Sequence, residues 1–346
     1  MKTYIAKVAL LLFLPLSFVT FAGCASDKQV MAQADDTHKA LEPAVIQDPQ
    51  LENYLQSIGE RVIAAAKQAH DKHVGPDAHF KEDPNWMFSK NMKFHLVNSK
   101  TLNAFTTGGE HMYIYNALFQ ACKREDELAA VMAHEYSHVY CRHVAQGQNH
   151  QLAVLAAGAL VGAGAGYALG GDNRASGAAA GAGVGAAGGQ FLNMGYTRGQ
   201  ENEADKYGFY FYTHAGWDPN HFADFFKDMI AMGYDKTPEY MSDHPTLAQR
   251  VKNTDQRVKQ LPPEASQWRT PPIADSSKFS QLLARANDLS KTTPSDTQLA
   301  SSQKLLQALP RSCVAPDPDP PDAQQARDQL AKQANNNQKK KQKQGG

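Results

Sequence analysis

The feature that most constrains this fold is a five-residue motif, His-Glu-Tyr-Ser-His, at positions 134 to 138. It lies in a segment from Glu125 to about Ala145 whose apolar residues recur at helical spacing, which predicts a helix. Residues four apart share one helix face, so His134 and His138 point in the same direction. Two imidazoles so placed can bind one Zn²⁺, and Glu135 lies beside them without being a ligand.

The residues after the motif exclude one class of zinc site. Metzincins continue the motif with a glycine and a third histidine at fixed positions, which Cys141 and Val144 occupy here. His143 is one residue out of register and is expected to face solvent or to cap the helix. The third ligand must therefore come from elsewhere in the chain.

A second polar segment, Arg-Gly-Gln-Glu-Asn-Glu-Ala-Asp at 198 to 205, supplies candidates and also has a helical setting. Glu201 on a second helix would complete a His₂Glu site with one position left for water. Asp205, four residues later on the same face, can accept the second N–H of a ligand histidine. Glu203 points away at this spacing. Taken alone, this segment would indicate a charged helix face exposed to solvent. In a chain that also has the His-Glu-Tyr-Ser-His motif, it indicates a helix that supplies the third metal ligand.

Further motifs stand in a fixed order around these two segments. They are Asn103-Ala104-Phe105 with Gly108-Gly109, the run Glu127 to Val131, Gly216-Trp217-Asp218-Pro219, and His244-Pro245 with Arg250. With them, residues 49 to 260 resemble the gluzincin zinc metallopeptidases of metallopeptidase family 48, which includes HtpX, the CAAX prenyl proteases and the mitochondrial Oma proteases. The closest type is the periplasmic lipoprotein branch of that family.

The resemblance implies an α+β fold that is mostly α-helical. The expected core is a zincin-type metalloprotease domain with a small β-sheet and an active-site helix that carries the HExxH motif. It implies one Zn²⁺ per subunit, held by His134, His138 and Glu201, with Glu135 as the catalytic base. His244 is expected to stabilise the transition state or to be a displaceable fourth ligand, although His244-Pro245 could simply start a helix. Arg250 would orient His244 or pair with a carboxylate.

Several elements around the site follow from local patterns. Asp48-Pro49 is typical of a helix start, and apolar residues at helical spacing extend that helix to about residue 70. Lys93–Val97 and His111–Tyr115 are predicted strands, the second with an open edge for an extended peptide. Other helices are predicted at 116–122, 198–214, 219–232 and 245–260, with two weaker helical patterns in 277–309.

The first residues have the order of an export signal. Lys2 and Lys7 are followed by an apolar run from Val8 to Phe21, and small residues precede Cys24. This resembles a bacterial lipobox, although Phe21 stands where leucine is usual. A transmembrane anchor is the alternative, but the run is short for one. Residues 1–23 are thus a predicted signal peptide, Cys24 is a predicted lipidation site, and residues 24–48 are a predicted lipidated tether. The protein is expected to be anchored to the outer membrane, rather than the inner membrane, and to face the periplasm.

The remaining boundaries follow from composition. The metallopeptidase domain is predicted at 49–262, with an insertion at 152–190 whose glycines recur every four residues, typical of a hairpin of two closely packed helices. The hairpin could be a plug or lid near the site, an oligomer contact or a membrane-dipping element. Residues 263–312 are a predicted helical C-terminal extension. Residues 313–346, rich in Pro and Asp and then in Asn, Gln and Lys, are predicted to be disordered.

Charge and cysteine content narrow the function. Lys+Arg and Asp+Glu are equal at 35 each, so no global positive field favours nucleic acid. After Cys24, an odd number of cysteines remains, Cys122, Cys141 and Cys313, and the first two should not pair because they lie near opposite ends of one predicted helix. The expected function is zinc-dependent cleavage of misfolded or unassembled envelope proteins. The alternative is a chaperone or assembly factor for outer-membrane proteins with little proteolysis.

Overall fold

Helices and one small sheet form the part of the 346-residue chain that the computed structural model describes, residues 27–72, 84–147, 196–234, 245–292 and 297–309. The helices are α1 (Asp27–Leu41), α2 (Pro49–Asp71), α3 (Asn116–Ala121), α4 (Glu125–Tyr140), α5 (Arg198–His214), α6 (Asp224–Ala231), α7 (Leu247–Lys259), α8 (Ser276–Thr292) and α9 (Thr297–Ala308). Short 3₁₀ turns lie at Glu42–Ala44, Pro84–Phe88, Pro219–His221 and Pro263–Trp268. The strands are β1 (Lys93–Val97), β2 (Ala104–Thr106) and β3 (His111–Tyr115). This confirms the α+β, mostly α-helical class.

The sheet has the strand order β1-β3-β2, with β1 parallel and β2 antiparallel to β3. His95 is paired with Tyr113, and Phe105 is paired with Tyr113 from the other side. The strand β3 is therefore central and bonded along both edges, so the expectation that His111–Tyr115 offers an open edge is wrong. The short strand β2, which sequence patterns did not predict, takes the outer position.

Helix α4 runs through the core of the molecule. Each of its residues from Glu125 to Tyr140 is buried, charged ones included, rather than one apolar stripe alone. It packs against α2, α5, α6 and the sheet. A helix covered on all sides holds its side chains in place, which suits a rigid site.

The segment before α2 is part of the fold. Asp48 caps α2 by accepting a hydrogen bond from Leu51 N at 3.0 Å, as expected from the Asp-Pro pair. Residues 27–41, however, form α1, which buries Val30, Ala34 and Leu41. The predicted lipidated tether at 24–48 therefore includes a helix that packs on the core from Asp27 to Leu41, while its lipidation stays a prediction.

The two C-terminal helices also pack on the core. The Tyr115 hydroxyl donates to the carbonyl of Leu306 at 2.9 Å, and Ser302 Oγ donates to the carbonyl of Ala40 at 2.7 Å. Glu125, at the start of α4, accepts from the backbone N–H groups of Ile273 and Ala274 at 2.7 and 2.6 Å. Residues 263–292 are thus joined to α4, and residues 297–309 to α1 and β3.

Some predicted features lie outside the described residues. They are the signal peptide, Cys24, the glycine-rich insertion, His244, Cys313 and the C-terminal tail. Within the described ranges, no helix is both long and apolar enough to span a bilayer. Cys122 and Cys141 are buried thiols that do not pair with each other, as expected.

Candidate active site

Three potential metal ligands from two helices meet in the core. His134 and His138 of α4 lie with their Nε2 atoms 3.1 Å apart. Glu201, in the first turn of α5, places Oε2 at 3.3 Å from His134 Nε2 and Oε1 at 3.8 Å from His138 Nε2. All three side chains are at most 1% exposed. The Thr197 N-cap and the capping box with Gln200 fix the start of α5 and hence the position of Glu201.

The donor set fits zinc. Ligands at about 2.0–2.2 Å from a tetrahedral zinc ion lie roughly 3.3–3.6 Å from one another. The observed separations bracket that range, and one atom from each of the three residues lies within 4.8 Å of the others. Two imidazoles and a carboxylate are also the His₂Glu combination that binds a catalytic zinc ion and leaves one position open. His134, His138 and Glu201 can therefore hold the metal.

The outer nitrogen of His134 is held by a buried ion pair. Its Nδ1 lies 2.9 Å from Asp205 Oδ1, which leaves Nε2 as the ligand atom when Nδ1 carries the proton. Arg250 of α7 donates to both oxygens of Asp205, at 2.8 and 2.6 Å. Burial raises the pKa of Asp205, but the charge of Arg250 and the hydrogen bonds from His134 and Arg250 together hold it well below its usual range. The carboxyl is thus ionised and orients the imidazole.

The outer nitrogen of His138 has its own partner, which sequence reasoning missed. His143 is fully buried, and its Nδ1 lies 2.9 Å from His138 Nδ1, while its Nε2 lies 3.0 Å from Glu203 Oε2. The expectations that His143 faces solvent or caps the helix, and that Glu203 points away, are wrong. If His138 ligates through Nε2, its Nδ1–H donates to His143, whose Nε2–H then donates to Glu203.

A break in α4 explains this outcome. The helix ends at Tyr140, and Arg142 has φ +57°, a left-handed conformation that is uncommon for residues other than glycine. This turn brings His143 back toward His138. Neither glycine nor proline marks the break, so the helical pattern in the sequence runs on through it.

The remaining predicted site residues have different outcomes. Glu135 is fully buried next to His134 on α4, and the ring of Tyr196 stacks on His138 at 3.7 Å between centroids. Arg250 pairs with the Asp205 carboxylate, one of its two expected roles. His244 lies outside the described residues, so its position relative to the ligands stays a prediction.

Known proteins show sequence similarity across this region. The putative beta-barrel assembly-enhancing protease of Vibrio cholerae is 30% identical over 222 residues, 63% of this chain and 41% of that protein. The beta-barrel assembly-enhancing protease of Escherichia coli K12 is 29% identical over 259 residues, covering 74% and 47% respectively. The mitochondrial metalloendopeptidase OMA1 of Saccharomyces cerevisiae is 28% identical over 170 residues, covering 46% and 45%.

The aligned part of this chain spans less than half the length of each of these relatives. A sequence model of a whole protein family also matches this chain, over a range that contains the candidate active site. The model described as peptidase family M48 matches residues 49–258, which include all three candidate ligands, Asp205 and Arg250. Peptidases of this family use zinc, in agreement with the donor set above. The chain therefore belongs to peptidase family M48.

Proposed function

We propose that this protein is a zinc-dependent endopeptidase that cleaves misfolded or unassembled envelope proteins. The observation that carries the proposal is the meeting of His134, His138 and Glu201 in one buried position with Glu135 directly beside them. Two helices far apart in sequence supply these groups, and the outer nitrogens of both imidazoles have buried partners. Packing alone does not call for so many polar groups at one place in a core, because burying them costs free energy.

The mechanism follows from the chemistry of these residues. When bound, zinc polarises the scissile carbonyl and lowers the pKa of a water molecule toward 7. Glu135 accepts the proton from the attacking water and passes it to the nitrogen of the leaving amine. Asp205 and Arg250 keep the His134 ring in its ligating tautomer. His244 is assigned the stabilisation of the negative charge that develops on the substrate oxygen.

The substrate class and the location draw on the relatives and on the first residues. Relatives in this family are named beta-barrel assembly-enhancing proteases, and such a name points to envelope proteins as clients. The lipobox-like sequence around Cys24 supports export and lipid anchoring. Together they favour a protease at the periplasmic face of the outer membrane.

A second function has one specific observation in its favour. The relatives' names include assembly enhancement, which suits a chaperone or assembly factor for outer-membrane proteins. In that case the metal centre would serve mainly to hold a client protein. The two functions differ in whether Glu135 is needed.

Glu135→Gln tests the proposal. The amide cannot take the proton from water, so cleavage of casein or another unfolded protein should fall by about 10²–10⁴-fold. Zinc content should stay as in the wild type, because Glu135 is not a ligand. Glu60→Gln, which changes an exposed glutamate on α2, is the matched control and should cleave normally.

Metal removal completes the test. Chelation should stop cleavage, and zinc should restore it in the wild type but not in Glu135→Gln. A Glu135→Gln protein that still cleaves at the wild-type rate contradicts the proposed mechanism. A Glu135→Gln protein that does not cleave but restores every cellular role favours the assembly function instead.

A further inference from the structure

A second group of histidines lies at the junction between α1 and the sheet. His38 belongs to α1, His95 to β1 and His111 to β3. All three are half-buried, so solvent ions can reach them. None of the three belongs to the candidate active site, and the mechanism above does not use them. We call His38, His95 and His111 the triple-histidine cluster.

The ring nitrogens of this cluster converge. His95 Nε2 lies 3.0 Å from His111 Nδ1. The ring of His38 stacks against both others, with centroids 4.5 Å from His95 and 4.2 Å from His111. One nitrogen of each ring lies within 4.8 Å of those of the other two. Ligands of one tetrahedral ion lie roughly 3.3 Å apart and aim their lone pairs at it, so binding requires the stacked rings, whose planes lie 28° and 6° from that of His38, to rotate toward the ion.

Two neighbours are placed to orient the rings. Asp35 Oδ1 lies 3.5 Å from His111 Nε2, the nitrogen on the far side from His95. The Tyr113 hydroxyl lies 3.0 Å from His38 Nδ1. When His111 Nε2–H donates to Asp35, His111 Nδ1 carries the lone pair and lies beside His95 Nε2. When His38 Nδ1–H donates to Tyr113, His38 Nε2 is the nitrogen that keeps a lone pair. A carboxylate behind a ligand imidazole is a common arrangement at metal sites.

The protonation state also suits a cation. Burial, together with the neighbouring His38, lowers the pKa of His95 to about 3 and that of His111 to about 4. Burial lowers the pKa of His38 as well. All three rings are therefore neutral at pH 7, which is the form that binds metal ions.

Ring stacking alone does not explain three histidines. Phe105 and Tyr113 stack at 4.8 Å in the same array, and Tyr113 stacks on His95 at 5.1 Å. Phenylalanine or tyrosine could continue that array without the cost of burying polar ring nitrogens. The hydrogen bonds between His95 and His111 and between His38 and Tyr113 offset part of that cost, and a bound ion would offset it for all three imidazoles together.

We propose that His38, His95 and His111 bind a second divalent transition-metal ion, with Zn²⁺ as the physiological candidate, and that this ion fastens α1 to the sheet. Imidazole ligands suit Zn²⁺, Cu²⁺ and Ni²⁺ rather than Mg²⁺ or Ca²⁺. The ion is structural and additional to the active-site zinc. The site ties α1, which follows Cys24 closely in sequence, to β1 and β3.

Metal counting on the full chain tests the proposal. Purified protein is stripped with chelator, incubated with Zn²⁺, passed through a desalting column and measured by mass spectrometry. The wild type should carry two zinc ions per chain. His38→Gln and His95→Gln should each carry one and still cleave casein. His70→Gln, which changes a half-buried histidine on α2 away from both sites, should carry two.

Thermal stability gives a reading that does not depend on activity. In a His134→Gln/His138→Gln background, Zn²⁺ should still raise the melting temperature, because binding to the folded state stabilises it. Adding His38→Gln should remove that increase. Wild-type protein with one zinc ion per chain, or His38→Gln protein with as many as the wild type, would overturn the second site. His38 lies on the surface helix α1, so its variant decides the matter even if His95→Gln does not fold.

Discussion

Two different groups orient the two histidines that are candidate metal ligands. Asp205 with Arg250 holds His134, and His143 with Glu203 holds His138. Sequence patterns predicted Asp205 because spacing of four residues on an unbroken helix places it on the face of Glu201. They could not predict His143, because its position depends on the left-handed Arg142, which has no glycine to signal it. His134 and His138 were predictable as a pair because their spacing lies within one helix, whereas Glu201, on another helix, was predicted from the second polar segment beside that motif and from the family resemblance.

His143→Leu should weaken zinc binding without touching a ligand. The leucine keeps the volume but cannot accept the Nδ1–H of His138, so the ligating tautomer loses its support. Loss of such a partner commonly costs 10–100-fold in metal affinity. Competition with a chromogenic chelator measures this affinity directly.

Two further variants distinguish the role of His143 in orienting His138 from its role in packing. His143→Gln retains an acceptor and should recover part of the affinity, while Glu203→Gln should have a smaller effect because its side chain is 37% exposed. If His143→Leu and the wild type release zinc at the same chelator concentration, His143 does not position His138.

At the scale of elements, helices with strong caps or periodic apolar residues were predictable, and a three-residue strand and a polar helix were not. Helix α2 starts at the Asp48 cap, and β1 and β3 have their predicted bounds. Strand β2 has only three residues, too few for an alternating pattern. Helix α1 was missed because its buried face is a narrow line of small or isolated apolar residues, Val30, Ala34 and Leu41, in a polar segment.

The contact between α4 and α5 depends on Gly208. A Cβ atom there would lie 3.0 Å from both Cα and N of His134, which are backbone atoms of a packed helix. Gly208→Ala should therefore push α5 away from α4, separate Glu201 from the histidines and reduce zinc affinity and cleavage together. Zinc titration and casein digestion check this.

Gly199→Ala is the matched control on the same helix. Among the residues that the structure describes, a Cβ at position 199 meets one atom within 4 Å, Thr197 Oγ1 at 3.8 Å. Alanine favours a helix over glycine by about 0.5–1 kcal/mol, so this variant should bind zinc normally and be at least as stable as the wild type. Equal zinc affinity in both variants would show that the helices do not need the close approach at Gly208.

The cap of α2 also links two elements and gives a pH-dependent prediction. Asp48 accepts from Leu51 N and from Arg285 Nε of α8, at 3.0 and 2.8 Å. The hydrogen bond from Arg285 lowers the pKa of Asp48. A lowered folded-state pKa stabilises the protein above the unfolded pKa of about 3.9, and that stability disappears as the pH falls through the folded-state pKa.

Asp48→Asn keeps the cap but removes the charge. It should cost about 1 kcal/mol or less at pH 7, because the Arg285 side chain is 46% exposed and solvent screens the pair. The cost should shrink from pH 7 to pH 3, because below the unfolded pKa of about 3.9 the unfolded wild-type carboxyl takes up a proton and the stability gained from the charged pair falls. Urea unfolding at both pH values measures this difference, and a larger cost at pH 3 would contradict the assignment.

At the scale of the whole molecule, the segments on either side of the family-matched region are part of one core. The model of the family ends at residue 258, yet α8 and α9 bury Phe279, Leu282 and Leu306 against the rest. Carbonyls and side chains of α1, α4 and β3 bond to this C-terminal part. The predicted domain boundaries at residues 48 and 262 were placed where the helical periodicity of apolar residues weakens. Segments with weak periodicity can still bury apolar side chains, so the folded core extends beyond those boundaries.

A chain shortened to residues 49–262 should consequently not fold stably, whereas residues 27–309 should. Removing α1, α8 and α9 exposes the apolar residues that they cover and deletes Ile273 and Ala274, the backbone partners of the buried Glu125. Each large apolar side chain that loses its cover costs about 1.5–3 kcal/mol, and a few of them exceed the total of about 5–15 kcal/mol that holds a domain folded. Near-ultraviolet circular dichroism and urea unfolding distinguish the two chains. If the 49–262 chain unfolded cooperatively at the same urea concentration as the 27–309 chain, residues 49–262 would be an independently stable domain that does not need α1, α8 and α9.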